Sequence, residues 1–151
     1  MNKHSQTLQI TKLINQWVNR YLPTQGSLSR HTTRNYSVSL ALFLGFLEVE
    51  KKVDGTNIIP DDFKHQTIED WLVWLAEKRN NSPATCNDRL GSIRSFLKYM
   101  ARKDTTLAYL YNEAALIPLK KSMKKPVEGI SKKAMKALLE VPDQNTKSGR
   151  A

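Results

Sequence analysis

The chain has 151 residues, enough for one ordinary domain with a tail and too few for two full ones. Its formal net charge is +10 and its pI is about 9.8, a balance that favours a polyanion or an anionic surface as partner. A lone cysteine, Cys86, excludes an internal disulfide; no apolar run approaches membrane-spanning length and no signal-peptide stretch opens the chain, so a reducing, cytoplasmic setting is expected.

Within residues 7–22, Ile10, Leu13, Ile14, Trp17, Val18 and Tyr21 recur at spacings of three and four, which predicts an amphipathic helix ended by Pro23. Gly26 and Ser27 supply a turn, and Ser29 stands as N-cap to a second helix from Arg30 to about Lys52, with Tyr36, Leu40, Phe43, Leu44 and Leu47 as its core stripe. Residues 54–66 read as a loop pinned by Ile58, Ile59 and Phe63. Thr67 is the expected start of a third helix, with Glu69 and Asp70 near its positive dipole end and Trp71, Leu72, Trp74 and Leu75 on its apolar face. Ser82-Pro83 then pairs an N-cap with proline at the first helical position, opening a fourth helix to about Lys103. That helix buries Cys86, Leu90, Ile93, Phe96, Leu97 and Met100, and shows a small-residue face at Ala84, Asn87, Asp88, Gly91 and Ser95. A short helix is expected over 107–116, a basic connector over 118–130 broken by Pro126 and Gly129, and a last helix over 132–141 capped by Ser131. The resulting division is 1–117 for the helical unit, 118–130 for the connector and 131–151 for the beginning of a further unit.

The second and fourth helices echo one another at a constant offset of 53 positions: Ser29 with Ser82, Thr32 with Thr85, Ser39 with Ser92, Phe43 with Phe96 and Leu44 with Leu97. Charge is also segregated. No acid precedes Glu48, acids cluster between Glu48 and Glu77, and from Asn81 onward 14 Lys or Arg stand against 6 Asp or Glu. A helix start offers free N–H groups and a positive dipole end to phosphate, so Arg30, His31, Thr32, Thr33 and Arg34 form one candidate anion-binding set. On the fourth helix Thr85, Asn87, Arg89, Ser95, Lys98 and Arg102 combine amide, hydroxyl and guanidinium groups suited to base edges and phosphates, with Arg94 nearer the flank. Lys120, Lys121, Lys124 and Lys125 add sequence-independent phosphate contacts. Competing readings stay open: Ser29 and Thr32 as caps alone, Arg89 in an ion pair with Glu69 or Asp70, Asn87 as a local cap, and the connector lysines as a solvated linker. The aromatic residues sit at core spacings, which favours packing over base stacking.

Histidines at 4, 31 and 65 show no metal-ligand spacing, and there is no glycine-rich phosphate loop or nucleophile elbow; neither metal, cofactor nor small-molecule substrate is predicted, and no catalytic residue.

The succession Ser29-x-x-Thr32-x-x-x-Tyr36-x-x-x-Leu40-x-x-Phe43-Leu-x-Phe-Leu, then Thr85-x-x-x-Arg89-Leu-x-Ser-Ile-Arg94-Ser-Phe-Leu-x-Tyr-Met, resembles the N-terminal core-binding domain of tyrosine recombinases, the phage-integrase family. Gly129-Ile-Ser-x-x-x-Met-x-x-Leu-Leu is similar to the entry of that family's catalytic domain. The resemblance implies an all-α, compact four- to five-helix orthogonal bundle of SAM-like type, followed by a basic linker and a short C-terminal helix. It implies double-stranded DNA with inverted half-sites as partner, self-association on DNA, no membrane, and two helices in the major groove, those beginning at Ser29 and Ser82. The short helix over 107–116 would touch a neighbouring subunit. The family's catalytic arginine, histidine and tyrosine residues would lie beyond Ala151, so the fragment is expected not to cut DNA alone. A stand-alone helical DNA-binding regulator and a protein-interaction bundle are the other readings.

Overall fold

A computed structural model describes residues 2–121, which are almost wholly helical; no strand forms among the described residues. The predicted helix over 132–141, and with it Lys124 and Lys125, lies outside them.

Helix α1 (Lys3–Gln16) begins four residues earlier than the apolar spacing implied, because Asn2 caps it by accepting the Ser5 N–H at 2.8 Å. It continues into a wider π-type turn at Trp17–Tyr21 and a 3-10 turn at Leu22–Thr24 that contains Pro23. Helix α2 (Arg30–Phe46) likewise widens at Leu47–Lys51 and stops where Lys52 enters the left-handed region at φ 58°. The 53–59 loop and a 3-10 turn at Pro60–Phe63 follow, with Ile58 and Phe63 buried as pins.

Helix α3 (His65–Lys78) starts two residues before the expected Thr67, which is instead buried inside its first turn. Asp70 is therefore no cap partner; its carboxylate accepts from Lys51 Nζ at 2.9 Å and Gln66 Nε2 at 3.1 Å. Asn80, at φ 54°, turns the chain so that the Asn81 N–H returns to the Leu75 carbonyl at 3.0 Å. Helix α4 (Pro83–Lys103) has the predicted limits. Asp104 caps the following 3-10 turn, Thr105–Leu107, and α5 (Ala108–Ala115) closes the described fold.

Helix α4 is central and packs against α2, α3 and α5. Its Phe96 stands 5.0 Å from Trp17 and 5.6 Å from Phe63, and the aromatic line continues through Phe43 to Trp71 at 5.1 and 5.2 Å. All five rings are buried, so these aromatics hold the core and are unavailable for stacking on bases. Cys86 is buried in the same core.

Candidate nucleic-acid interface

The two echoing helix starts have one cap geometry. Ser29 Oγ accepts the Thr32 N–H at 3.0 Å and lies 2.9 Å from its hydroxyl; Ser82 Oγ accepts the Thr85 N–H at 3.1 Å and lies 3.1 Å from its hydroxyl. Capping is thus a realised role of both serines, and it fixes where Thr32 and Thr85 stand.

Those threonines face one cleft between the N-terminal halves of α2 and α4, lined by Thr32, Asn35, Tyr36, Thr85, Asp88, Arg89 and Ser92. The offset of 53 runs through it: Thr32 with Thr85, Asn35 with Asp88, Tyr36 with Arg89. Fully buried Ser39, the counterpart of Ser92, accepts a hydrogen bond from Arg89 Nη1 at 3.0 Å. Arg89 therefore crosses from α4 to α2, and its Nε is buried without a partner. The ion pair with Glu69 or Asp70 does not form. Glu69 instead stands 3.6 Å from His65 Nδ1, and Asp70 pairs with Lys51 Nζ at 2.9 Å.

Tyr36 also borders an adjoining hollow with Gln25, Ser27, Ser95, Lys98, Tyr99 and Arg102. Lys98 is exposed; Ser95 turns its hydroxyl back to the Gly91 carbonyl at 3.2 Å. Arg102 leans over the Tyr21 ring at 5.8 Å and donates to its hydroxyl at 3.2 Å. Arg30, His31 and Arg34 are exposed on the first turns of α2, while the Thr33 hydroxyl donates to the Arg30 carbonyl at 3.0 Å. A polar, cation-bearing surface thus extends from the α2 start along α4. Apart from Asp88 in the cleft itself, acids gather elsewhere: Glu50, Asp70 and Glu77 around a hollow at the far end of α2, and Glu48 and Asp54 beside α1.

Asn87 and Arg94 are drawn to a different task. Asn87 Nδ2 donates to the Lys120 carbonyl at 3.0 Å while its Oδ1 accepts the Lys120 N–H at 2.8 Å. Arg94 donates from Nε to the Ala114 carbonyl at 2.9 Å and from Nη2 to those of Ala115 and Ile117 at 3.4 and 2.5 Å. Asn87 is therefore not a local cap; it holds the chain's exit, where Lys120 is half-buried and Lys121 exposed. Asn35 and Tyr36 escaped sequence reasoning as site residues, Tyr36 because it fell on the core stripe. The offset of 53, applied to their partners Asp88 and Arg89, carried the signal.

Among the described residues no group of three or more His, Cys, Asp or Glu comes together to hold a metal ion, and no helix is long and apolar enough to cross a membrane.

Comparison with known proteins finds that residues 14–104 match the model of the phage integrase N-terminal SAM-like domain. The chain is 27% identical over 146 residues to a Sinorhizobium fredii (strain NBRC 101917 / NGR234) protein named "Putative integrase/recombinase y4rD", covering 97% of this chain and 52% of that protein. The chain thus spans about half the length of the curated relative it matches. No solved structure matches. The family match takes in both capped helix starts and more than half of the residues, and by it the chain belongs to the phage integrase N-terminal SAM-like domain family.

Proposed function

We propose that the α2–α4 surface binds duplex DNA as the core-binding part of a tyrosine recombinase, recognising inverted half-sites in the service of integration, excision or resolution. The observation that carries this reading is the cleft shared by the two capped helix starts, where Arg89 lies with no carboxylate paired to it. A guanidinium so placed is suited to an anionic partner, and the exposed Arg30, Arg34 and Lys98 near it extend the same preference to a backbone of phosphates. Thr32, Asn35 and Thr85 add the hydroxyl and amide groups that reach base edges. Family membership and the integrase/recombinase name of the relative support the same role. Strand cleavage belongs in this reading to a catalytic domain that begins within 131–151, after a connector at 118–130. Association of copies on DNA is part of it, and Leu116 and Leu119, 83% and 59% exposed beside α5, favour a protein neighbour there.

The orientation is tested by gel shift on a duplex recovered by oligonucleotide selection. Arg34→Ala and Arg89→Ala are expected to cost about 1–3 kcal/mol of binding each, whereas Lys64→Ala, at the start of α3 among acids, costs far less. Equal losses in all three variants would contradict the assignment of the face.

A further inference from the structure

The chain leaves α5 and doubles back along α4, held at two points. Arg94 grips the carbonyls of Ala114, Ala115 and Ile117, and Asn87 grips both backbone polar atoms of Lys120. Asn87 and Arg94 are seven residues apart, two turns on one face of α4, or about 10 Å along its axis. The three residue steps from Ile117 to Lys120 span about 10 Å when extended. The two spacings agree, so the exit segment runs beside α4 toward its N-terminal end, the end that opens the Thr85–Arg89 cleft. Beyond buried Ile117, a segment with Pro118 in it and Leu119 59% exposed has little burial of its own to fix that course. Two amide–backbone hydrogen bonds from a half-buried asparagine supply what packing does not.

We propose that Asn87 is a positioning residue for DNA binding: its latch on the Lys120 backbone holds Lys120 and Lys121 beside the start of α4, in register with the phosphates that flank that helix. The inference rests on the reading of α4 as a DNA-facing helix. It assigns Asn87 no base to read. The amide that base recognition would use is spent on the main chain, and what reaches the duplex through it is the charge of two lysines. Because these contacts are ionic and sequence-independent, the latch contributes affinity and register with little effect on base preference.

The test uses the 151-residue chain and a mixed-sequence duplex, with binding titrated against salt for the unaltered protein, Asn87→Ala, Lys120→Ala/Lys121→Ala, and the triple variant. Asn87→Ala is expected to bind about threefold to tenfold more weakly and to have a salt slope shallower by about one to two, as the loss of one or two phosphate contacts requires. The triple variant should bind no more weakly than the two-lysine variant, since the latch acts through those lysines. An unchanged slope in Asn87→Ala, or losses that simply add in the triple variant, would overturn the proposal. Amide exchange at Lys120 gives a readout independent of DNA: its N–H is protected in the unaltered protein and exposed in Asn87→Ala, and a freely exchanging N–H in the unaltered protein would also overturn it. Protection at Lys120 with no salt-dependent binding of duplex would instead mark failure of the DNA reading itself, and of the latch's role with it.

Discussion

Arg89 reaches from α4 to the buried Ser39 hydroxyl on α2 and keeps its Nε without a partner. Its place beside the apolar stripe of α4 follows from the period of Leu90, Ile93 and Leu97. Its bond to Ser39 does not, because that contact joins residues 50 positions apart and depends on how α2 and α4 pack. The same limit applies to Asn87 and Arg94, whose targets are backbone atoms on a later segment that no side-chain pattern announces. Carboxylates away from the site set the acid response of the fold. Asp104 is held below the usual carboxylate range by hydrogen bonds from the Thr106 hydroxyl and N–H and from Gln9; Asp70 is lowered by its bond to Lys51. Such groups supply stability that is present above about pH 4 and lost as pH falls through their depressed values. Asp62, raised chiefly by burial, works in the opposite sense: its contribution is greatest when protonated and is lost as pH rises through its raised value. Asp104→Asn keeps a capping side chain and removes one titrating group, so its melting temperature should fall less than that of the unaltered protein between about pH 5 and pH 2. Superimposable pH profiles would show that Asp104 carries no part of the acid loss. At the alkaline end Tyr109, pushed up to about 12 by burial and its bond to Asp61, keeps its proton in the folded chain, so its contribution disappears only as pH rises from about 10 toward that value.

At the scale of elements, the four long helices were legible because each has an apolar stripe, and the starts of α2 and α4 because Ser29 and Ser82 cap them. Ser82-Pro83 and Lys103 bound α4 as predicted, since cap, proline and stripe agree there. Agreement failed at α3, where Thr67 has the composition of a cap and the structure buries it; helix formation simply begins earlier, at His65, with Lys64 in the extended conformation before it. The π-type turns that continue α1 and α2 have no composition signature and went unread. Gly91 offers a test of the α4 outer face. It is exposed, and a Cβ built there meets nothing within 4 Å. Gly91→Ala should therefore stabilise the free protein by about 0.5–1 kcal/mol through helix propensity, seen as a higher melting temperature. If α4 enters a DNA groove at this position, the same methyl weakens duplex binding. A rise in melting temperature with unaltered affinity would place Gly91 outside the interface.

Across the whole molecule, the segregation of charge read from sequence has a spatial counterpart within residues 2–121. The acids of α2's far end and of α3 surround a hollow away from the Thr32–Arg89 cleft, where Asp70 is held by Lys51 and Glu69 lies beside His65, and Asp61 in the 3-10 turn accepts from Tyr109. Exposed cations on the α2 start, on α4 and at Lys121 are thereby left to act on a partner. The all-helical class was legible in the apolar periods, and so was the likeness of the two helix starts. Their convergence on a single cleft was not legible, because an offset in sequence fixes no distance in space. The proposed DNA-facing role of the α2–α4 surface requires association through counterion release. The direct measurement is gel-shift titration of the 151-residue chain against duplex DNA over a range of salt concentrations. Binding through the α2–α4 face requires that log K fall linearly with log salt, each neutralised phosphate adding about −0.9 to the slope, and that Arg34→Ala and Arg89→Ala weaken binding throughout. Affinity that stays flat as salt rises would contradict it.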